Sequence, residues 1–354
     1  MLVSRLDSIK QLSGPVLISG HTGFKGTWLT FMLEKFGIPT CGYSLAPEVT
    51  SLYNISNRKG KIREIYSDIR DFKALDNFIK QTKPSLIIHL AAQPLVLESY
   101  NNPKLTFETN VLGTLNVLES GFNCDSVKSI LVATTDKVYR NTKKNQRFRE
   151  SDALEGSDPY SSSKVAVEAV AKAWQKMRSI SSGPSVLVAR AGNVIGGGDY
   201  SKNRLVPDLI NGFSNNKDVI IRNSVSTRPW QHVIDPLFGY LCYLEESLKN
   251  DTKNALNFGP IEKSKSVREF VEIAQKTWGY TSNIKFENSN LNNESVYLDI
   301  DPSLAVATLN WKPRWTQEQA IVNTINWWKK VLIEKVSPIE VCMDDIESYA
   351  EQNA

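Results

Sequence analysis

Ile18-Ser19-Gly20-His21-Thr22-Gly23-Phe24-Lys25-Gly26-Thr27-Trp28 is the stretch that decides the fold. Gly20, Gly23 and Gly26 recur every third residue. They separate the apolar run 15–18 from a segment, Trp28, Leu29, Phe31, Met32 and Leu33, with helical apolar spacing. A glycine turn between strand and helix lets the backbone come close to a diphosphate and aims the first helical N–H groups at its charge. The spacing is GxxGxxG, not the commoner GxGxxG. The turn predicts a dinucleotide site that includes Gly20, Thr22, Gly23, Phe24, Lys25 and Gly26.

Working outward, strand-like and helix-like runs alternate. Strands are expected at 16–19, 40–44, 62–67, 85–90, 127–134 and 185–190, and helices from the turn to 36 and over 71–81, 103–120 and 160–180. The run 85–90 is almost wholly apolar, as in a strand covered on both faces. Such alternation predicts an α/β fold, a Rossmann-like doubly wound parallel sheet whose ligands lie at the strands' carboxyl ends. After 190 the strands shorten and Gly, Asn and Pro become dense. Residues 1–190 therefore read as the dinucleotide-binding domain, with a returning segment at about 229–256. Residues 191–228 and 257–354 read as a smaller C-terminal substrate-binding lobe. An amphipathic helix is expected at 317–332, with Trp327 and Trp328 as packing residues.

The 354 residues are 41% hydrophobic and 23% charged, with a net charge of +4, which gives no case for a nucleic-acid partner. Cys41, Cys124, Cys242 and Cys342 are scattered without a CxxC pair, so neither a metal site nor a disulfide framework is expected. No apolar run approaches the roughly 18 residues of a membrane span. Nothing after Met1 resembles a signal-peptide core, and a cytoplasmic protein is expected.

Tyr160-Ser161-Ser162-Ser163-Lys164 places a phenol and an ammonium one helical turn apart. A free tyrosine is a poor base at neutral pH, and a nearby cation favours its phenolate. Thr134-Thr135-Asp136-Lys137 follows an apolar strand and falls at the carboxyl edge of the sheet. Thr135 could bond a sugar hydroxyl or the phenol. Strand neighbours point to opposite faces, so Asp136 and Lys137 can serve one ligand only if the chain has turned there. The local sequence leaves open whether they are an acid–base pair or a structural ion pair. Asp68-Ile69 ends the third strand, where a carboxylate can accept from an adenine amino group. Leu90-Ala91-Ala92-Gln93 ends the fourth, small enough for a dinucleotide to pass. His89 reads as a fixed strand-end histidine. Tyr43-Ser44 stand where an acid often grips the adenosine ribose. Arg204, Arg222 and Arg228 suit phosphate oxygens, and Asn193 offers an amide beside a flexible glycine run at 196–198. The basic run 137–149 reads as a solvated loop beyond Lys137.

GHTGFKGTWL (20–29), HLAAQPLV (89–96), TDKVY (135–139), DPYSSSK (158–164), RAGNVIGGGDY (190–200), RLVPDLI (204–210), RPWQHV (228–233) and LNWKPRW (309–315) make the chain resemble the extended short-chain dehydrogenase/reductases. Within them it is similar to the CDP-glucose 4,6-dehydratases. The resemblance implies tightly held NAD and a cycle with no net redox change. Tyr160, with Lys164, would take the 4-hydroxyl proton while C4 is oxidised. Lys137 would remove the C5 proton and Asp136 would protonate the departing 6-hydroxyl, before C6 is reduced. Asn110 and Thr134 would line the cofactor. Asn193 and Arg228 would hold the diphosphate of a CDP-sugar, and Arg204, Leu205, Arg222 and Asn223 would complete its site. The family also implies deoxysugar supply for surface polysaccharide, and a homodimer or dimer of dimers paired through 103–120 and 160–180. A sugar-nucleotide 4-epimerase or reductase would use the same Tyr160 and Lys164. Other nucleotide-linked hexoses or heptoses are the neighbouring substrates. The chain departs from its relatives at Leu97-Glu98 and in the loop 140–150.

Overall fold

A computed structural model describes residues 5–142, 146–252, 255–280, 283–287 and 297–351; of Ser181 and Arg222 only the backbone is described. The strands are β1 (Val16–Ser19), β2 (Thr40–Ser44), β3 (Arg63–Tyr66), β4 (Leu86–His89), β5 (Ser129–Thr135), β6 (Ser185–Ala191), β7 (Val194–Ile195), β8 (Val219–Arg222), β9 (Thr227–Arg228), β10 (Gln231–His232), β11 (Ala255–Phe258), β12 (Lys265–Ser266) and β13 (Ile284–Glu287). The helices are α1 (Asp7–Lys10), α2 (Phe24–Lys35), α3 (Leu52–Ile55), α4 (Phe72–Thr82), α5 (Val96–Asn101), α6 (Pro103–Phe107), α7 (Gly113–Phe122), α8 (Pro159–Ser181), α9 (Leu205–Ser214), α10 (Ile234–Lys249), α11 (Val267–Trp278), α12 (Ser303–Leu309), α13 (Gln317–Leu332) and α14 (Pro338–Glu351).

β1, β4 and β6 are buried along their whole length, which requires cover on both faces of the sheet. The cover comes from two apolar layers. Trp28, Phe31 and Leu33 of α2, Leu237 and Leu241 of α10, Trp327 of α13 and Ile346 of α14 pack on one face. Leu75 and Ile79 of α4, Val117 and Leu118 of α7, and Val167 and Ala171 of α8 pack on the other. Each such side chain, fully buried, contributes about 1.5–3 kcal/mol. The seven strands are parallel in the order β11-β6-β5-β4-β1-β2-β3. The chain runs outward from β1 through β3, then returns to β4 on the other side of β1. That reversal opens a crevice at the carboxyl ends of β1 and β4, the binding position of open parallel sheets.

Several features differ from the sequence reading. The helix expected over 103–120 is interrupted by a π turn, Glu108–Leu112, because the buried Asn110 is held by groups outside the helix. β11 extends the sheet to Phe258, while β7 with β10, β8 with β13 and β9 with β12 form small ribbons beyond it. The glycine run 196–198 is packing rather than flexible backbone. A Cβ on Gly197 would lie 1.8 Å from the Trp327 ring, and Trp28 Nε1 donates to the Gly197 carbonyl at 2.9 Å. The loop after Lys137 is also more than solvated chain. Arg147 donates to the carbonyls of Pro260, Ile261 and Ile300, and Tyr139 stacks on Phe148. Lys143 and Lys144 lie outside the described residues.

Candidate active site

The glycine turn has the shape an anion requires. Gly20 sits at φ +79° against the main chain of Ala91, and a Cβ on Gly26 would fall 2.1 Å from the Gly20 carbonyl oxygen. Only glycine allows either approach. Gly23 caps α2 without any side-chain bond, so first-turn N–H groups at Phe24 and Lys25 are left to face a ligand. These features fit a dinucleotide diphosphate. At the end of β2 the Ser44 hydroxyl lies 2.7 Å from that of Thr22, which donates to the Leu45 carbonyl. Asp68 holds Arg70 through both carboxylate oxygens, so an adenine amino group would have to share it. Ile69 belongs to the core, and a Cβ on Gly113 would meet it at 2.7 Å. Leu90, Ala91, Ala92 and Gln93 are half-buried at the end of β4. His89 is fixed between Ser19 and Thr114, at 2.6 and 3.0 Å, and burial lowers it to about 3, so it stays neutral.

β5 ends at Thr135, and a 3-10 turn, Asp136–Val138, begins at once. The alternation that would part Asp136 from Lys137 therefore stops where it matters. Thr135 donates to Asp136 Oδ1 at 3.1 Å and accepts from the Lys137 N–H at 3.3 Å. Asp136 is only 1% exposed, yet its Oδ2 has no hydrogen-bond partner. Among the described residues no ion pair joins Asp136 to Lys137. A buried acceptor left unpaired is costly and rare, and a ligand hydroxyl or water is its natural partner.

Pro159 and a capping box between Asp158 and Ser161 start α8 and put Tyr160 in its first turn. The Tyr160 N–H is bound by Ser99 of α5 at 3.1 Å, a contact with no signature in the sequence. Lys164 Nζ donates to the Ala133 carbonyl at 3.2 Å. Burial pushes the Tyr160 phenol up to about 12, with Asp136 and Asp158 adding to the rise; the Thr135 hydroxyl and Arg204 act the other way. The Lys164 ammonium, one helical turn away, bonds a main-chain carbonyl, and Arg204 is a cation that acts on the phenol. Burial also lowers Lys164 to about 8, opposed by Glu168. Lys25 is lowered to about 8 by burial and by Arg204 and Lys164, while Asp136 opposes the fall. The turn, the end of β5, the start of α8 and Arg204 thus lie within electrostatic reach of one another.

Other expected contacts fall differently. Asn110 is expected at the cofactor, but its amide binds the Gln93 backbone and Ser163, and Ser163 donates to the Tyr160 carbonyl. It braces α8 instead. Thr134 gives its hydroxyl to Glu168 at 2.7 Å. Arg204 also pairs with Asp199 at 3.0 Å, and Leu205 opens α9. Asn193 carries a buried Oδ1 without a partner among the described residues, an acceptor that a sugar hydroxyl or a water can fill but a diphosphate oxygen cannot. Arg228 is buried and donates to the Thr227 carbonyl at 2.8 Å. Arg222 and Asn223 end the β8 ribbon; Asn223 is left-handed at φ 54°, and the Arg222 side chain lies outside the described residues. No group of three or more His, Cys, Asp or Glu among the described residues is arranged to hold a metal ion.

The GDP-mannose 4,6 dehydratase family model matches residues 17–324. The chain belongs to that family. It is 39% identical over 323 residues to CDP-glucose 4,6-dehydratase of Salmonella typhimurium, covering 89% of this chain and 90% of that protein. Solved structures share the fold. The dTDP-glucose 4,6-dehydratase of Bacillus anthracis in complex with NAD aligns at TM-score 0.77 and 24% identity, over 92% of this chain and all of that one. The epimerase Mth375 of Methanothermobacter thermautotrophicus aligns at 0.81 and 20%, over 95% and 98%. The solved structures that share this fold thus include a dehydratase and an epimerase.

Proposed function

We propose that this protein is a nucleotide-sugar 4,6-dehydratase that converts CDP-glucose to CDP-4-keto-6-deoxyglucose. The observation that carries the reading is the buried, half-unpartnered Asp136 beside Lys137 in the turn that follows Thr135, with no ion pair between the two among the described residues. A dehydration across C5–C6 needs one group to take the C5 proton and one to protonate the leaving hydroxyl. An epimerization or reduction at C4 needs neither.

The glycine turn and the Leu90–Gln93 segment would hold NAD. When bound, NAD supplies a reversible two-electron oxidation, so the sugar can be oxidised at C4 and later reduced at C6. The segment from Ser44 to Thr50 contains no Lys or Arg to meet a 2′-phosphate, which favours NAD over NADP. Tyr160 accepts the 4-hydroxyl proton, with Thr135 and Arg204 drawing it toward the phenolate. Lys137 removes the C5 proton, made acidic by the 4-ketone, and Asp136 protonates the 6-hydroxyl, which leaves as water; once C6 is reduced, the proton held by Lys137 returns to C5. Asn193 and Arg228 hold the diphosphate, with Arg204 and Leu205 nearby; Arg222 and Asn223 approach the nucleotide.

The enzyme works in the cytoplasm as a homodimer or dimer of dimers, supplying deoxysugar for surface polysaccharide. Leu105, Phe107 and Leu112 are 39%, 38% and 49% exposed on the 103–120 segment, and Ala169 and Ala173 are exposed on α8. A second copy packed against these helices would cover them. The reading is tested by incubating the protein and NAD with CDP-, dTDP-, GDP- and UDP-hexoses. Loss of one water from the CDP-hexose supports it; a product that keeps its 6-hydroxyl indicates a 4-epimerase or reductase.

A further inference from the structure

Arg190 and Glu168 form an ion pair that is 4% and 7% exposed. Nε and Nη2 of the guanidinium meet the two carboxylate oxygens at 2.9 and 2.8 Å, a bidentate fork. Nη1 donates to the Tyr139 hydroxyl at 2.9 Å, and that hydroxyl donates to Asn257 Oδ1 at 2.6 Å. Glu168 Oε1 also accepts the Thr134 hydroxyl at 2.7 Å. A buried ion pair adds little net stability over an apolar replacement, so stability alone is a weak reason for this one.

Its connections supply another reason. Glu168 lies one helical turn beyond Lys164 and two beyond Tyr160, on the same face of α8. Thr134 stands between Ala133, whose carbonyl receives the Lys164 ammonium, and Thr135. Tyr139 directly follows the turn that carries Asp136 and Lys137. One carboxylate and its arginine therefore join all three segments that bear reacting groups.

We propose that Glu168, locked by Arg190, is a positioning residue for the reaction: it registers α8 against the end of β5 and places a negative charge one helical turn from the Lys164 ammonium. Only its effect on turnover rests on the dehydratase reading. The charged and titratable groups facing Lys164 are Glu168 on its own helix, Lys25 from the glycine turn and the neutral His89 from β4; Arg204 and Asp136 act on Lys25 and Tyr160. Glu168 is the anion that offsets burial there.

The test is the pH dependence of Lys164 acetylation by acetic anhydride in the full-length protein without substrate, read by peptide mass spectrometry. Glu168→Gln keeps the hydrogen-bonding shape and removes the charge. It is expected to move the midpoint down by about one pH unit, giving roughly tenfold more reactive amine at neutral pH. The alkaline limb of kcat for CDP-glucose should move the same way, with KM little changed. Glu168→Asp, a milder change in case the glutamine variant does not fold, should shift the midpoint in the same direction by less. An unmoved midpoint in either folded variant overturns the proposal, even if turnover falls. Normal labelling shifts without any turnover of CDP-glucose would instead count against the functional reading.

Discussion

Lys164 reaches from the second turn of α8 to the main-chain carbonyl of Ala133, 3.2 Å away. The contact fixes the ammonium one residue from the threonines that end β5. It also holds a positive charge in a buried place, and this has a thermodynamic consequence.

Burial lowers Lys164 to about 8 in the folded protein, against about 10.4 for a free lysine. Between those values the unfolded chain binds more protons, so this group makes stability rise with pH from about 8 to about 10.5. Below pH 8 the full cost of the buried charge is present. Lys164→Met should therefore be more stable than the wild type at pH 7, by on the order of 1–3 kcal/mol in urea unfolding, with the advantage fading toward pH 10. Comparing the two proteins cancels the buried thiols Cys41 and Cys242, raised to about 12, which act oppositely above pH 9. A difference that does not change with pH would contradict the assignment.

Tyr160→Phe removes only the phenolic oxygen from a side chain that is 9% exposed. Turnover should fall by about 10²–10⁴-fold, the usual worth of a positioned acid–base group. NAD affinity, followed by fluorescence titration, should change by less than about threefold, since the glycine turn is untouched. Retained turnover in this variant removes the phenol from the mechanism.

Asp136→Asn keeps the shape of the turn and removes the proton-donating acid. Oxidation at C4 and exchange at C5 should persist, so substrate recovered from deuterated water should carry deuterium at C5 while water loss drops at least about a hundredfold. Lys137→Met should abolish that exchange. Normal dehydration by Asp136→Asn would show that another group protonates the leaving hydroxyl.

Leu105 and Leu112 lie exposed on the segment expected to pair with a second copy. Leu105→Glu with Leu112→Glu should convert the assembly to monomers in sedimentation velocity, because two buried charges without partners are costly at an interface. An unchanged sedimentation coefficient means that the contact lies elsewhere.

The first half of the chain was legible because its signals are local. A both-face-buried strand needs an apolar run, and LIIH supplies one at 86–89; a glycine turn needs glycines, and a helix start needs Asp158 and Pro159. Tyr160, Lys164 and the 135–137 turn could be named for the same reason. What escaped depends on contacts far apart in sequence. Ser99 binds the Tyr160 N–H across 61 residues, Arg190 meets Glu168 across two elements, and the π turn at Asn110 exists because Gln93 and Ser163 hold its amide. The glycines at 196–198 looked like flexible backbone because nothing local reveals that Trp327 lies against one of them. Helical spacing places Lys164 one turn from Tyr160 but does not reveal the Ala133 carbonyl as its partner.

The central claim is tested most directly by mass analysis of the CDP-sugar after incubation of CDP-glucose with the protein and NAD. The account predicts a nucleotide product lighter by one water, with a keto group at C4, a methyl at C6 and no net NADH. A CDP-hexose of unchanged mass, inverted at C4 or simply recovered, would contradict it.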